Sequence, residues 1–226
     1  MYKNYFKRLF DIVSSGIALI ALFPIFACLA YLVKTRLGSP VLFTQVRPGK
    51  DNKLFKMYKF RSMTDERDED GNLLPDDVRL TPFGKKLRES SLDELPELIN
   101  IFKGDMSVVG PRPQLVRDMV FFSDEEMQRQ SVLPGLTGLA QINGRNNISW
   151  EDKFKYDLQY IKNISFLEDI RIIYRTVFKV ARQDDINTDG METAEDYGDY
   201  LLRIGKIGKA EYDSNQSKAN ELINRM

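Results

Sequence analysis

The sequence contains no histidine and a single cysteine, Cys28, which lies inside an apolar segment. Without histidine, the chain cannot form Ser-His or Cys-His nucleophile pairs, histidine general bases or the usual catalytic zinc sites. A lone cysteine excludes internal disulfides and cysteine metal clusters, and this pattern is typical of a reducing compartment. Any chemistry must therefore rely on carboxylates, lysine or arginine.

Net charge is also lacking, because 33 Lys and Arg balance 33 Asp and Glu over 226 residues. A neutral chain gives no argument from bulk electrostatics for binding nucleic acid, and its length favours one compact domain, with or without an appendage. The balance hides an asymmetry: residues 1–64 hold eleven Lys and Arg against Asp11 and Asp51, a net of +9, so residues 65–226 carry −9. The basic surface therefore belongs to the N-terminal part.

An uncharged stretch of 22 residues, 12–33, is long enough to cross a bilayer as a straight helix. Pro24 lies near its middle, where a proline removes a backbone hydrogen bond and bends a helix. Lys and Arg flank both ends, which is typical of cytoplasmic segments. These features predict a re-entrant helix kinked at Pro24 with both ends in the cytoplasm. A single-pass anchor is the alternative. A cleaved signal peptide is disfavoured, because no small-residue cleavage site follows the stretch.

The rest of the chain predicts a mostly helical α+β fold with one small β element. Residues 41–46 and 54–60, joined by a Pro-Gly turn, are typical of a β-hairpin. The spacing of apolar residues predicts helices over 82–90, 93–103, 149–163 and 165–182, the last two with Ser149 and Ser165 as N-caps. The first two of these helices could line a core or lie as amphipathic helices in a membrane interface.

Asp93 and Glu94 form an adjacent carboxylate pair between Ser91 and Pro96. Ser91 and Glu94 fit a capping box, but Pro96 would then occupy an interior helical position; with Asp93 as N-cap, Pro96 falls in the first turn. Capping by Asp93 is therefore one interpretation. The other is chemical, because a carboxylate can accept a phosphoryl group, and Mg²⁺ takes one or two carboxylates together with substrate phosphates.

Three long segments, KFRSMTDERD, LDELPELINIFKGDMSVVGPRP and PGLTGLAQINGRN, follow the apolar stretch that contains Pro24. In this order they resemble the bacterial sugar transferase family of small monotopic phosphoglycosyl transferases, over roughly residues 1–190. Within that family the motifs are most similar to those of the enzymes that initiate bacterial N-linked protein glycosylation. The resemblance implies transfer of a phosphosugar from a UDP-sugar to polyprenyl (undecaprenyl) phosphate, with release of UMP.

The resemblance also implies roles for individual residues. Asp93 would attack the β-phosphorus and form an aspartyl-phosphosugar, Glu94 would help to hold Mg²⁺, and Pro24 would form the break of the membrane helix. The implied substrate-binding residues are Lys59, Arg88, Arg112, Gln141, Asn143 and Arg145. Charge that spreads over phosphoryl oxygens requires cations and not a histidine base, so the composition agrees with this reaction.

The implied organisation is a re-entrant membrane helix over residues 1–36, a cytoplasmic catalytic domain over 37–190 and a C-terminal tail over 191–226. The implied location is the bacterial inner membrane, facing the cytoplasm, with phospholipid, UDP-sugar and polyprenyl phosphate as partners, no nucleic acid, and downstream glycosyltransferases as further candidates. Phe23 stands where the family often has Ser before the break proline, so the bend must depend on Pro24 and packing. The tail predicts a helical hairpin, which could bind a partner or form a loosely packed appendage.

Two other functions compete with the enzyme. A non-catalytic scaffold would use the basic N-terminal part to bind anionic lipid, but it would not need Asp93, Glu94 and Arg112 together. A soluble phosphatase with an aspartate nucleophile would need an Asp-x-Asp motif after a buried strand, and none is present. The resemblance therefore favours the enzyme.

Overall fold

The computed structural model describes residues 2–144, 148–182 and 195–226. Within these ranges the fold is mostly helical with two small two-stranded sheets, which confirms the predicted α+β class. The α-helices are α1 (Phe6–Ala21), α2 (Phe23–Leu37), α3 (Asp76–Arg79), α4 (Pro82–Glu89), α5 (Glu97–Lys103), α6 (Val116–Met119), α7 (Asp124–Met127), α8 (Leu139–Ile142), α9 (Trp150–Lys162), α10 (Phe166–Arg182), α11 (Tyr197–Arg203) and α12 (Lys209–Asn224). The strands are β1 (Leu42–Pro48), β2 (Leu54–Phe60), β3 (Ser107–Val109) and β4 (Gly135–Thr137), and short 3-10 helices cover Tyr2–Asn4, Lys50–Asn52, Leu92–Glu94 and Gln128–Ser131.

The uncharged N-terminal stretch forms two helices, α1 and α2. Leu22 separates them, Pro24 lies in the first turn of α2, and the two helices are bent by 64°. Proline fits a first turn because its missing N–H needs no partner there, so the predicted bend at Pro24 is confirmed. In the described part of the chain no single helix is long and apolar enough to cross a membrane, whereas α1 and α2 taken together pass that test of length and composition.

α1 is joined to the rest of the molecule by buried polar contacts that the sequence did not predict. Asp11 Oδ1 accepts hydrogen bonds from Ser107 Oγ at 3.0 Å and from the backbone N–H of Val108 at 2.9 Å. Lys7 Nζ lies 2.5 Å from Asp169 Oδ2, and both side chains are buried. Because a buried charge without a partner is costly, these pairs fix α1 to the folded domain.

β1 and β2 form the predicted antiparallel hairpin, with Leu42 opposite Phe60. The first strand is longer than predicted and extends to residue 48. Side chains two residues apart share one face of a strand, so Lys59 lies on the same face as Phe55 and Met57. That face packs against α5, which places the Lys59 ammonium beside the start of this helix.

The helix predictions hold where local capping signals are clear. The Ser149 and Ser165 hydroxyls accept hydrogen bonds from the N–H groups of Asp152 and Glu168 at 3.1 and 3.2 Å, so both are N-caps as predicted. The helix predicted over 82–90 is α4, one residue shorter. The prediction over 93–103 is wrong in its first half, where a 3-10 turn precedes α5.

The apolar residues of α4 and α5 mostly line the core. Leu87, Leu98 and Ile101 are buried, while Phe102 is half exposed, so the core interpretation applies to most of this segment. The apolar side chains that stay exposed lie chiefly on α1 and α10: Phe6, Leu9, Val13, Ile17, Ile20, Phe166, Leu167, Tyr174, Val177 and Phe178. Exposed apolar surface therefore lies on α1 and α10 more than on α4 and α5.

The described part of the C-terminal tail forms the predicted pair of helices, but they are not loosely packed. Tyr197 of α11 is buried against Trp150 and Phe154 of α9. Ala219 of α12 is fully buried in a cluster with Val116 of α6. Residues 195–226 therefore share buried apolar clusters with the preceding part of the chain.

Candidate active site

Asp93 and Glu94 lie in the 3-10 turn Leu92–Glu94, which joins α4 to α5. Ser91 opens this turn in the left-handed conformation, with φ of 55°, an unusual value for a residue other than glycine. No side chain caps the 3-10 turn, and Pro96 precedes α5 without a side-chain cap. Both capping interpretations of this segment are therefore wrong, and helix capping does not explain why a carboxylate stands at position 93.

Glu94 is held by two cations from distant parts of the chain. Its Oε1 accepts hydrogen bonds from Lys59 Nζ of β2 at 2.8 Å and, in a very short contact, from Arg112 Nη2 of the loop after β3. Lys59 Nζ also lies 3.3 Å from Glu97 Oε1 at the start of α5. The hairpin, the 3-10 turn, α5 and the Arg112 loop thus meet at one cluster of charges.

The Asp93 carboxylate accepts no hydrogen bond from the described residues. It is 8% exposed. Burial raises the pKa of Asp93 to about 6 and the charge of Glu94 adds to this, while Lys59, Arg88 and Arg112 oppose it. Near neutral pH the carboxylate is therefore mostly ionised, poorly solvated and close to cations, which suits a nucleophile.

Arg88 lies at the edge of the same cluster. Its Nε donates to Ser62 Oγ at 2.9 Å, and its charge lowers the pKa of Asp93. Lys59, Arg88 and Arg112, which the resemblance assigns to phosphate binding, are thus brought together around Asp93 and Glu94. These three cations face the carboxylates of Asp93, Glu94 and Glu97, so a bound anion would share the cations with them.

Gln141 and Asn143 lie at the end of α8, and their side-chain hydrogen bonds are local. Asn143 Nδ2 donates to the Leu139 carbonyl at 2.7 Å, and Gln141 Nε2 to the Leu136 carbonyl at 3.4 Å. No hydrogen bond between described residues joins these two amides to the carboxylate cluster. Arg145, the last of the predicted substrate-binding residues, lies outside the described residues.

Glu97 is a third carboxylate that sequence reasoning missed. Its side chain is 1% exposed; Oε1 forms an ion pair with Lys59 Nζ at 3.3 Å, and Oε2 accepts no hydrogen bond from a described residue. Burial raises the pKa of Glu97 to about 7, and Lys59 offsets this only in part. For Glu94, burial would also raise the pKa, but Arg112 and Lys59 hold it well below its usual range. The three-residue spacing of Glu94 and Glu97 in DELPE, typical of one helix face, could have revealed the pair.

We expect the Glu97→Gln variant to be more stable than the native protein at pH 8. A carboxyl group whose pKa is raised by folding contributes its full share of stability below the unfolded pKa and loses it as pH rises through the folded value of about 7. The gain should be on the order of 2–3 kcal/mol at most, or roughly 5–10 °C in Tm. Thermal unfolding at pH 8 and pH 4 measures it.

At pH 4 the two proteins should unfold at nearly the same temperature, because Glu97 is then protonated in both states. The control is Glu66→Gln, at an exposed position in the polar loop, which should change the Tm by less than about 2 °C at either pH. Lower stability of Glu97→Gln at pH 8 would contradict the raised pKa.

The donor set fits a magnesium ion that is shared with a substrate. Both hydrogen bonds to Glu94 fall on Oε1, so Oε2 has no donor among the described residues. Over those same residues, no group of three or more His, Cys, Asp or Glu side chains is arranged to hold a metal. Mg²⁺ commonly takes one or two carboxylates together with substrate phosphates, so one free Glu94 oxygen suits it better than it suits a metal held by protein alone.

Several named proteins are similar in sequence to this chain. The uncharacterized sugar transferase EpsL of Bacillus subtilis (strain 168) is 49% identical over 189 residues, which cover 84% of this chain and 94% of EpsL. A UDP-glucose:undecaprenyl-phosphate glucose-1-phosphate transferase of Klebsiella pneumoniae is 45% identical over 184 residues, or 77% of this chain and 40% of that protein. The exopolysaccharide production protein ExoY of Rhizobium meliloti (strain 1021) is 36% identical over 188 residues, or 76% of this chain and 83% of ExoY. The chain thus spans about two fifths of the Klebsiella protein and most of the other two.

A profile of the bacterial sugar transferase family matches residues 2–183. The matched region contains the bent helix pair, the hairpin that carries Lys59, the turn with Asp93 and Glu94, and the Arg112 loop. The C-terminal helices α11 and α12 lie beyond it. Since the match covers most of the sequence and the long motifs occur in the order expected, this chain belongs to the bacterial sugar transferase family.

Proposed function

We propose that this protein is a phosphoglycosyl transferase that moves a phosphosugar from a UDP-sugar to polyprenyl phosphate and releases UMP. The observation that carries the proposal is the Asp93 carboxylate, buried without a hydrogen-bond donor from the described residues and placed among Lys59, Arg88 and Arg112. The activities named for two relatives support the substrates: the Klebsiella protein is a UDP-glucose:undecaprenyl-phosphate glucose-1-phosphate transferase, and a Salmonella typhimurium relative is an undecaprenyl-phosphate galactose phosphotransferase.

In the first step, a carboxylate oxygen of Asp93 attacks the phosphorus that bears the sugar. A bond forms between this oxygen and phosphorus as the bond from phosphorus to the bridging oxygen breaks, and UMP leaves with that electron pair. Arg112, Lys59 and Arg88 stabilise the charge on the phosphoryl oxygens, which is the main requirement of such a reaction. The product on the protein is an aspartyl-phosphosugar.

In the second step, an oxygen of polyprenyl phosphate attacks the same phosphorus. The bond to Asp93 breaks, the carboxylate is restored, and the product is polyprenyl-diphosphosugar. A covalent intermediate lets one cationic pocket take two phosphate substrates in turn, so neither has to bind beside the other.

Glu94 has two roles in this mechanism. Before substrate binds, it neutralises Lys59 and Arg112 and holds both side chains at the site. When Mg²⁺ is bound, the metal would neutralise phosphate charge, with the free Oε2 of Glu94 as its protein ligand. Substrate phosphates then compete with Glu94 for the two cations, so the ion pairs preorganise the groups that the phosphates need.

A UMP-release assay with polyprenyl phosphate and a panel of UDP-sugars tests this function. We expect multiple turnovers when both substrates are present, and a burst stoichiometric with enzyme when the lipid is withheld. UMP release with none of the sugars, together with normal liposome binding, would instead favour the non-catalytic scaffold.

The bent helix pair is proposed to dip into the cytoplasmic leaflet of the inner membrane and to return. Lys7 and Asp11 near the start of α1 pack on the folded domain, and Val33 and Leu37 at the end of α2 are buried against Phe60 of the same domain. Because both ends are attached to one body, a span across the bilayer would separate groups that are in contact. The exposed apolar side chains of α1 and α10 add surface suited to lipid.

Cysteine labelling should place both ends of the helix pair on the cytoplasmic side. The variants are Asn4→Cys and Ser39→Cys in a Cys28→Ser background, treated with a membrane-impermeant reagent in inverted and right-side-out vesicles. Both should react in inverted vesicles only. Pro24→Ala restores a backbone hydrogen bond, so in this variant part of the population should have positions 4 and 39 on opposite sides of the membrane. Labelling of the two positions from opposite sides in the protein that retains Pro24 would contradict the re-entrant topology.

A further inference from the structure

Arg112 lies in a loop between β3 and α6 whose backbone carbonyls are held in two different ways. Gly110 N–H donates to the Thr137 carbonyl at 2.8 Å, which extends the β3–β4 pairing by one residue, and the Pro111 carbonyl accepts a hydrogen bond from Gly135 N–H, at the start of β4, at 2.9 Å. Beyond Pro111 these backbone hydrogen bonds end. The next two carbonyls, at positions 112 and 113, accept hydrogen bonds from arginine side chains instead.

Arg129 holds the carbonyl of Arg112 itself. Its Nη2 donates to that carbonyl at 2.7 Å, and Nε and Nη2 donate to Asp157 Oδ2 at 3.0 and 2.6 Å. The Arg129–Asp157 pair is almost fully buried. Removal of one partner of a buried ion pair is strongly destabilising, because it leaves the other charge buried and unpaired. The Arg129–Asp157 pair therefore fixes the Arg112 carbonyl to the folded domain.

Arg47, at the end of β1, holds the next carbonyl without a matching carboxylate. Nη1 donates to the Pro113 carbonyl at 3.2 Å and Nη2 to Gln45 Oε1 at 2.7 Å, while Nε is buried without a partner. No described carboxylate forms an ion pair with it. Burial lowers the pKa of Arg47 to about 10, and repulsion from Arg112 adds to this. Arg47 thus keeps its hydrogen bonds to the Pro113 carbonyl and to Gln45 although burial disfavours its charge.

The C-terminal helices contact α6, which follows the same loop. Asp118 of α6 accepts the N–H of Leu115 at 3.1 Å and the N–H of Tyr197 at 2.8 Å. The charges of Asp118 and of Asp196, just before α11, partly offset the desolvation of Arg47. The segment from Arg112 to α6 is therefore held by Arg129 and Arg47 at its start and, through Asp118, by residues 195–226 at its end.

We propose that Arg47 is a positioning residue for Arg112, and that α11 and α12 support the same loop through their contacts with α6. By holding the Pro113 carbonyl, Arg47 fixes the direction in which the Arg112 side chain leaves the backbone, toward Glu94 and the substrate phosphates. The proposal rests on the proposed function, because it requires Arg112 to bind a phosphate. It gives a role to residues 195–226, which lie beyond the family match at residues 2–183.

A double-mutant cycle on the full chain tests this role. Arg47→Met removes the donor, and Arg47→Lys keeps a donor and a charge of similar reach. We expect Arg47→Met to lower kcat/KM for the UDP-sugar by about 10- to 100-fold, as a displacement of about 1 Å can, and Arg47→Lys to restore it to within about threefold. In an Arg112→Lys background, Arg47→Met should cost less than about threefold, because the group that it positions is already impaired.

Circular dichroism and thermal unfolding accompany each assay, and Arg225→Met is the control for loss of an exposed arginine. If Arg47→Met does not fold, Arg47→Gln replaces it, since glutamine is neutral, polar and too short for the same hydrogen bond. A fully active folded variant, or equal losses in both Arg112 backgrounds, would overturn the proposal. No UMP release by the unmodified chain would overturn the proposed function, and the role of Arg47 with it.

The tail is tested in the same cycle through Ala219, which is fully buried against α6. Ala219→Leu overfills that contact and should displace α12. We expect about a fivefold loss of kcat/KM with native Arg112 and less than about twofold with Arg112→Lys. Equal losses in the two backgrounds would show that the tail supports the fold without acting on Arg112.

Discussion

Replacement of Asp93 by asparagine should abolish transfer while the protein stays folded. Asparagine has nearly the same size but cannot form the aspartyl-phosphosugar, so turnover should fall on the order of 10³-fold or more, as for loss of other catalytic nucleophiles. Intact-mass measurement after incubation with UDP-sugar and no lipid should show an added phosphosugar on the native protein only. The native protein should also release about one equivalent of UMP in that experiment, and the variant none.

The same variant should be at least as stable as the native protein at pH 8. Burial raises the pKa of Asp93 to about 6, so the stability associated with this group is complete at low pH and is lost as pH rises through that value. Asparagine avoids the cost of the buried charge. The control is Asp124→Asn, at an exposed position, which should keep activity and Tm. A well-folded and active Asp93→Asn protein would remove the covalent mechanism.

Local patterns explain which parts of the fold could be predicted. The hairpin, α9 and α10 have clear periodicity and capping serines, and these depend on residues a few positions apart. The 3-10 turn at Asp93 was missed because apolar spacing runs through it. Pro96 indicated the interruption, since the residue before a proline is disfavoured in a helix, but the pattern was extended across it.

Contacts between distant segments explain the rest. Asp11 and Ser107 are 96 positions apart and Arg112 and Arg129 are 17 apart, and no periodicity connects either pair. For the tail, the apolar residues Leu201, Leu202 and Ile204 predict a helix, but a single sequence does not show which surface covers a helix. The site also combines local and distant features. The sequence motif indicated Asp93 and Glu94, whereas the burial of Glu97 and the support of Arg112 depend on tertiary packing.

Replacement of Glu94 by glutamine should damage both turnover and the use of Mg²⁺. Glutamine keeps the volume but removes the charge that pairs with Lys59 and Arg112 and the proposed metal ligand. We expect kcat/KM to fall about 100-fold or more, and the Mg²⁺ concentration for half-maximal UMP release to rise about tenfold. Because the charge of Glu94 raises the pKa of Asp93, adduct formation should also extend to lower pH in this variant.

Glu97→Gln is the matched control at pH 8, where Glu97 is mostly ionised because its pKa is about 7; it then removes one negative charge at constant volume from the same cluster, next to the same Lys59. If Glu94 binds the metal, the Mg²⁺ midpoint should move in Glu94→Gln and change less than about threefold in Glu97→Gln. This comparison separates the two roles of Glu94. Loss of its hold on Arg112 lowers turnover even at saturating Mg²⁺, whereas loss of a metal ligand raises the Mg²⁺ concentration at the midpoint. Equal midpoint shifts in both variants would show that the site responds to net charge and would remove Glu94 as the specific ligand.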